Sequence, residues 1–281
     1  MVMLPEYLNV AAADLGKGTP VKVRVLGDMA SVGQDLAEVL KAEIVAANRQ
    51  GRGATLIVPV GPVEQYPLLA QMLNGARISC RNAVFIGMDE YLTDDDAWLP
   101  ESHVLSFRAY LNRKFYDLLD PALAPPPEYR VFPDPRDLEA VPRLIAARGG
   151  VDLCCGGIGI TGHIAFNEPP EPGEPMSLEA FAALPTRILT LTRETRTINS
   201  VTVGGEIAVI PRRAVTVGMK EILGARRLRL YCNRTWQSAV VRRVLHGPIT
   251  PACPASLMRR HPDAMLTVAD YVAAPPDIRL R

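Results

Sequence analysis

The chain has no apolar run approaching the roughly 20 residues that a membrane-spanning helix needs. Its N-terminus, Met-Val-Met-Leu-Pro-Glu-Tyr, has no basic region followed by an apolar one, so no signal peptide is expected. Cysteine is scarce and unpaired in spacing. The five residues are Cys80, Cys154, Cys155, Cys232 and Cys253, and they read as reduced thiols of a cytoplasmic protein. The four histidines are scattered and form no His-x-x-x-His pattern, so no structural metal is expected. An excess of one charge is also missing. Lys and Arg total 31 against 30 Asp and Glu, a net charge of +1, which gives no electrostatic case for nucleic acid or an anionic membrane. The arginines at 226, 227 and 229, at 242 and 243, and at 259 and 260 read as solvated helix faces. There is no internal repeat and no low-complexity tract.

What the chain does contain is an ordinary globular composition: 281 residues, 48% hydrophobic and 22% charged. Val21–Leu26 alternates apolar and basic residues, as a strand with one solvated face does. Asp28 or Ser31 can cap a helix whose apolar residues Val32, Leu36, Val39, Leu40 and Ile44 recur at helical spacing. Thr55–Val60 and Ala83–Met88 are continuous apolar runs, the pattern of strands buried on both faces. Helices are expected at Tyr66–Leu73, Ser106–Leu119, Leu138–Arg148, Arg193–Asn199 and Trp236–Leu245. Further strands are expected at Ile188–Leu191, Ala214–Gly218, Arg227–Cys232 and Ala264–Val268. This alternation implies a single three-layer α/β/α domain, a doubly wound, mainly parallel, Rossmann-like sheet with helices on both faces. Ligands of such sheets bind beyond the carboxyl ends of the strands.

Two stretches fall at those ends. Asp89-Glu90-Tyr91 follows the third strand; its carboxylates read as site residues or as a helix cap. Val151–Cys155 reads as a buried strand, and after it come Gly156, Gly157, Gly159 and Gly162 within seven residues. Such glycines mark close backbone approach or a tight turn. Behind them stand His163, an acid-base group, and Glu168, a carboxylate that can orient it. The alternative is a tight loop with a solvated histidine. Residues 170–186, rich in Pro and Glu, read as a mobile loop that can act as a lid.

The motifs Met88-Asp89-Glu90-Tyr91, Pro100-Glu101-Ser102, Gly156-Gly157-Ile158-Gly159, Gly162 to Pro169, Leu189 to Thr192, Thr195-Arg196, Asn199-Ser200 and His261-Pro262 resemble glucosamine-6-phosphate deaminases/isomerases. The resemblance spans about Val21 to Val268. It implies that His163 opens a closed amino sugar with Glu168 beside it, and that Asp89 moves a proton from C2 to C1. The product would be a ketose with release of ammonia, without a metal or organic cofactor. A small-molecule sugar is the expected partner, and a homo-oligomer the expected assembly.

The departures are as informative. Thr161 stands where the family has an Asp, two residues before the histidine, and supplies a hydrogen bond but no charge. The turn Val60-Gly61-Pro62-Val63-Glu64-Gln65 replaces a Gly- and Thr-rich phosphate loop; Pro62 lacks an N–H and Glu64 adds a negative charge. Val201 and Gln237 occupy the positions of the family's phosphate-binding Arg and Lys. Arg187 is kept, but Leu189 replaces a Lys found in allosterically regulated members. Lys220 and Arg234 are conceivable replacement cations, though each also reads as solvated. The expectation is therefore an amino-sugar, or amino-sugar phosphate, isomerase/deaminase relative with a non-standard substrate that can be unphosphorylated. Glu64, Gln65, Glu90, Gly159, Thr161, Gly162 and Gln237 are its expected substrate contacts. The alternatives are a sugar-binding or regulatory protein that lost catalysis, and a 6-phosphogluconolactonase-like hydrolase, against which Phe166-Asn167-Glu168-Pro169 argues.

Overall fold

The computed structural model describes residues 4–61 and 64–278. Pro62, singled out above for its missing N–H, lies outside the described residues. The first half of the chain contributes strands β1 (Lys22–Leu26), β2 (Thr55–Val58), β3 (Val84–Gly87), β4 (Asp89–Leu92) and β5 (Arg130–Val131), with helices α1 (Met29–Arg49), α2 (Gln65–Gly75), α3 (Phe107–Lys114) and α4 (Ala140–Ala147). The second half contributes β6 (Leu153–Gly157), β7 (Arg187–Thr190), β8 (Arg213–Thr216), β9 (Leu228–Cys232) and β10 (Ala264–Ala269), with α5 (Leu178–Ala182), α6 (Arg193–Ser200), α7 (Met219–Leu223), α8 (Gln237–His246) and α9 (Asp270–Ala273).

Seven strands form one parallel sheet in the order β1-β10-β9-β6-β2-β3-β5. The apolar runs explain its centre: every residue of β2 and β3 is buried. The alternating β1 lies at an edge, with Lys22 and Arg24 turned outward as its pattern implies. Asp28 caps α1 by accepting from the Ser31 N–H at 2.7 Å, and Val32, Leu36, Leu40 and Ile44 bury the apolar face. Successive strands step outward from β2 through β3 to β5, and from β6 through β9 to β10. The order therefore reverses between β2 and β6, where a crevice opens beyond the strand ends.

A second sheet departs from the expected single one. β4, β8 and β7 pair antiparallel in that order. The chain leaves β3, bends at Met88 and enters the second sheet at Asp89. Met88 donates to Val58 O at 3.0 Å and accepts from Val217 N at 2.7 Å, so it joins the two sheets. Tyr91, Phe166, Leu191, Ile210 and Ala214 fill a small core under the second sheet.

Two element boundaries also differ. The helix expected over 106–119 ends at Lys114, because the backbone turns at Phe115 (φ −134°) and continues as a 3-10 turn. That turn lets Phe115 and the adjacent Tyr116 both pack against Phe85. The segment 170–186 is not wholly irregular. Residues 171–177 are exposed, but 178–182 form α5, whose Phe181 is buried in the main core. The Pro-rich half is thus exposed chain, while the second half is packed helix. All five cysteines are buried and unpaired. Among the described residues, no helix is long and apolar enough to cross a membrane.

Candidate active site

A cavity of about 330 Å³ opens beyond the strand ends at the β2–β6 crevice. Residues 59–61 beyond β2, residues 157–159 at the end of β6, and Tyr231 and Asn233 near the end of β9 contribute to its wall, and Asp89 and His163 face into it.

The loop after β6 carries the histidine. Asn167, fully buried, ties it down: its amide donates to Ile164 O at 3.0 Å and Val217 O at 2.9 Å, and it accepts from Arg187 Nη1 at 2.6 Å. Two glycines are sterically required. A Cβ on Gly159 would lie 1.9 Å from His163 Nε2, so the imidazole rests on bare backbone. Gly162 has φ +89°, and a Cβ there would lie 2.7 Å from Cys253 Sγ.

His163 Nδ1 is 3.0 Å from Glu168 Oε2 and 2.9 Å from Thr161 Oγ1. Thr161 Oγ1 also donates to Glu168 Oε2 at 2.9 Å. The other carboxylate oxygen accepts from Thr192 Oγ1 at 3.1 Å. With a carboxylate on Nδ1, that nitrogen carries the proton, and Nε2 is left at the cavity wall as the working nitrogen. Burial opposes the Glu168 charge. The hydrogen bond and charge of His163, with the hydroxyls of Thr195 and Thr161, outweigh it and hold the carboxyl down at about 2.

Asp89 opens β4 opposite Thr216. Its side chain is buried, and among the described residues no hydrogen bond reaches its carboxylate. Burial, reinforced by the neighbouring Glu90, pushes its carboxyl up to about 8. The site thus pairs a carboxylate held charged with a carboxyl held neutral, an arrangement suited to acid-base chemistry at two points of one ligand.

The other expected contacts divide. Gly159 and Gln237 line the cavity. Thr161 and Gly162 stand behind the imidazole. Glu90 does not reach the cavity, because successive strand residues point to opposite faces. Its carboxylate, fully buried, accepts from the N–H groups of Phe107 (3.0 Å) and Arg108 (2.9 Å) and from Ser106 Oγ (3.1 Å) at the start of α3. The cap reading of that acidic pair therefore holds for Glu90. Glu64 is exposed, in the left-handed region (φ 81°) just before α2. Gln65 is buried beside it, with Nε2 donating to Val60 O at 3.2 Å. Neither lines the cavity.

The Gln237 amide is engaged at both ends, donating to Ile158 O at 2.8 Å and accepting from Arg234 N at 2.8 Å. Val201 is 69% exposed in the turn after α6. Of the two replacement cations, Arg234 lines the cavity, while Lys220 is exposed on α7 away from it. Sequence reasoning missed the aromatic wall made by Tyr91, Phe107, Phe166 and Trp236. Tyr91 OH accepts from Asn199 Nδ2 at 2.9 Å, which links the second sheet to α6. Tyr91, Phe166 and Asn199 do stand within the recognised motifs, but none of them is among the expected substrate contacts. Among the described residues no cluster of His, Cys, Asp or Glu is placed to hold a metal ion.

Comparison with known proteins bears on this geometry. No family model matches the chain. It is 31% identical over 262 residues to a glucosamine-6-phosphate deaminase of Streptomyces avermitilis, covering 90% of this chain and 92% of that one. It is 30% identical over 260 residues to the enzyme of that name from Phocaeicola vulgatus, with the same coverage of both chains. The solved structure of a monomeric glucosamine-6-phosphate deaminase superposes with a TM-score of 0.77 at 25% identity, over 90% of this chain and 99% of the other. A 6-phosphogluconolactonase from Trypanosoma cruzi shares the fold, with a TM-score of 0.65 at 16% identity, over 93% of this chain and 98% of the other.

Proposed function

This chain belongs to the glucosamine-6-phosphate deaminase family, and from that premise we propose that it isomerises and deaminates an amino sugar that carries no 6-phosphate. The observation that carries the reading is the convergence of His163–Glu168 and Asp89 on one cavity whose described lining holds a single cationic side chain, Arg234.

His163 Nε2 accepts the C1 hydroxyl proton of the closed sugar and returns a proton to the ring oxygen. The charged Glu168 steadies the imidazolium that forms in between. Asp89 in its ionised form removes the C2 proton while the substrate's ammonium group gives a proton to the C1 oxygen, and the resulting enolamine takes the proton back from Asp89 at C1. The C2–nitrogen double bond formed in this way takes up water, and the C2–N bond breaks to give the ketose and ammonia. Thr161 does part of the work of the family's Asp: it fixes Glu168 and the imidazole by hydrogen bonds while adding no charge. Gly159 and Gln237 form the wall at the sugar, Gly162 supports the loop, and no substrate contact is proposed for Glu64, Gln65 or Glu90.

The altered substrate rests on charge. A phosphate dianion is held by several charge-assisted hydrogen bonds, each contributing roughly 1.5–3 kcal/mol. Among the described residues Arg234 is the one Lys or Arg lining the cavity. Incubation of the purified protein with glucosamine, other free amino sugars and glucosamine 6-phosphate, with ammonia and ketose measured, tests the reading. Turnover of free amino sugars that is lost in Asp89→Asn supports it.

Thr161 favours a second reading, a sugar-binding or regulatory protein of the same fold. Thermal stabilisation by amino sugars without any turnover would select it, and turnover that depends on His163 excludes it. A homo-oligomeric state is part of the proposal and is read by light scattering.

A further inference from the structure

A second cavity, of about 510 Å³, lies at the turn that joins β7 to α6 and shares no lining residue with the first. Arg193, Arg196 and Arg212 line it, with Thr190, Leu191, Ile207 and Ala208 completing the wall. Arg196 is anchored: Nε donates to Ile210 O at 3.2 Å and Nη2 to Ile207 O at 3.1 Å. The guanidinium groups of Arg193 and Arg212 are exposed and, among the described residues, have no carboxylate, hydrogen-bond or ring partner. No acidic side chain lines the cavity. The nearby Glu206 accepts from Ala208 N at 3.0 Å in its own turn, and the adjacent Arg213 is already paired with Asp96 at 2.7 Å. Three arginines line one concavity whose wall holds no carboxylate, so an anion entering it meets cationic, hydroxyl and apolar groups alone. The forked donors of the arginines match the oxygens of a phosphoryl group.

The wall of this cavity also supports the catalytic pair. Leu191 N donates to Arg212 O at 2.7 Å, and Thr192 stands between Leu191 and Arg193. Thr192 Oγ1 accepts from Thr195 N at 3.2 Å and donates to Glu168 Oε1 at 3.1 Å. Thr195 Oγ1 in turn lies 3.4 Å from His163 Nδ1.

We propose that this arginine-lined cavity binds a multivalent oxyanion, phosphate either free or carried on a small metabolite, and that its occupancy is transmitted through Thr192 to Glu168 and His163. Drawing Arg193 toward Arg212 shifts the turn that presents Thr192, and so the hydrogen bonds that orient the imidazole. The site is separate from the Arg187 position, where the guanidinium donates to Asn167.

Titration calorimetry on the full chain at constant ionic strength, with inorganic phosphate and with glucose 6-phosphate, tests the site directly and without any assumption about turnover. Saturable binding is expected, weakened about tenfold or more for each arginine removed in Arg193→Ala/Arg212→Ala. Tighter binding of glucose 6-phosphate assigns the anion to a metabolite, and equal binding assigns it to phosphate itself. Arg193→Gln/Arg212→Gln repeats the test should the alanine pair unfold. The coupling is read from the 15N-imidazole resonances of His163, which should shift on phosphate binding. Thr192→Val should abolish the shift while phosphate still binds. No binding, or binding unchanged in both double variants, overturns the site. Binding that leaves the His163 resonances unmoved overturns the coupling.

Discussion

Replacing Asp89 by Asn should make the protein more stable and inactive, with a gain that depends on pH in a definite direction. Burial, then the Glu90 charge, raises the Asp89 carboxyl from 3.8 to about 8. A carboxyl raised on folding binds its proton more tightly in the native state, so its contribution is full below the unfolded value and is lost as pH rises through the folded one. Each unit is worth about 1.4 kcal/mol. Relative to about pH 4, the wild type should therefore lose about 3 kcal/mol by pH 6 and about 5 kcal/mol by pH 8 to this one group. Asn has the same shape and no charge to bury, so the stability gap between variant and wild type should widen by those amounts. That is a large share of the 5–15 kcal/mol by which domains are usually stable. Urea unfolding of both proteins at about pH 4, 6 and 8 measures the gap. Parallel stability curves across that range would refute the claim that the Asp89 charge is held against a desolvation penalty.

If Asp89 is the base, kcat/KM should rise with pH and level off near 8, the value to which the carboxyl is pushed; a profile flat from about pH 5 to pH 9 contradicts the assignment. Glu168→Gln should cost about 3 kcal/mol of stability near pH 7, because its carboxyl is lowered from 4.5 to about 2, and the cost should fade as pH drops through that window; unfolding at two pH values checks it. Gly159→Ala places a methyl 1.9 Å from His163 Nε2, so turnover should fall about 100-fold or more while the far-ultraviolet circular dichroism stays that of the wild type. A freely active Gly159→Ala would mean that the imidazole does not need its place at the wall.

The parts of the fold legible in the sequence are those where one physical demand dominates. Thr55–Val58 and Val84–Gly87 are apolar throughout because both faces are covered, and Lys22 and Arg24 alternate outward because β1 is an edge. The antiparallel second sheet was not legible. Its strands have four residues each, and so short a run of apolar residues does not say which neighbour it pairs with. The same difficulty hid Phe181, whose short helix is held by packing inside a segment that composition marks as loop. At the candidate site, His163, Glu168 and Asp89 stood out as acid-base types at glycine-rich or acidic strand ends, and the structure brings Asp89 and the His163–Glu168 pair to one cavity. Glu90 was misplaced because a sequence does not show which of two adjacent carboxylates faces inward. Glu64 and Gln65 were misplaced because the turn before α2 directs one to solvent and the other under the loop. The aromatic wall escaped notice because Tyr91 and Phe166 also serve the small second core.

The central claim, family chemistry on a substrate without phosphate, is tested most directly by comparing kcat/KM for ammonia release from free glucosamine and from glucosamine 6-phosphate in wild type and Asp89→Asn. The expected result is a value for the free amino sugar equal to or above that for the phosphate, abolished in the variant. Efficient turnover confined to the 6-phosphate, abolished in the same variant, would contradict the account.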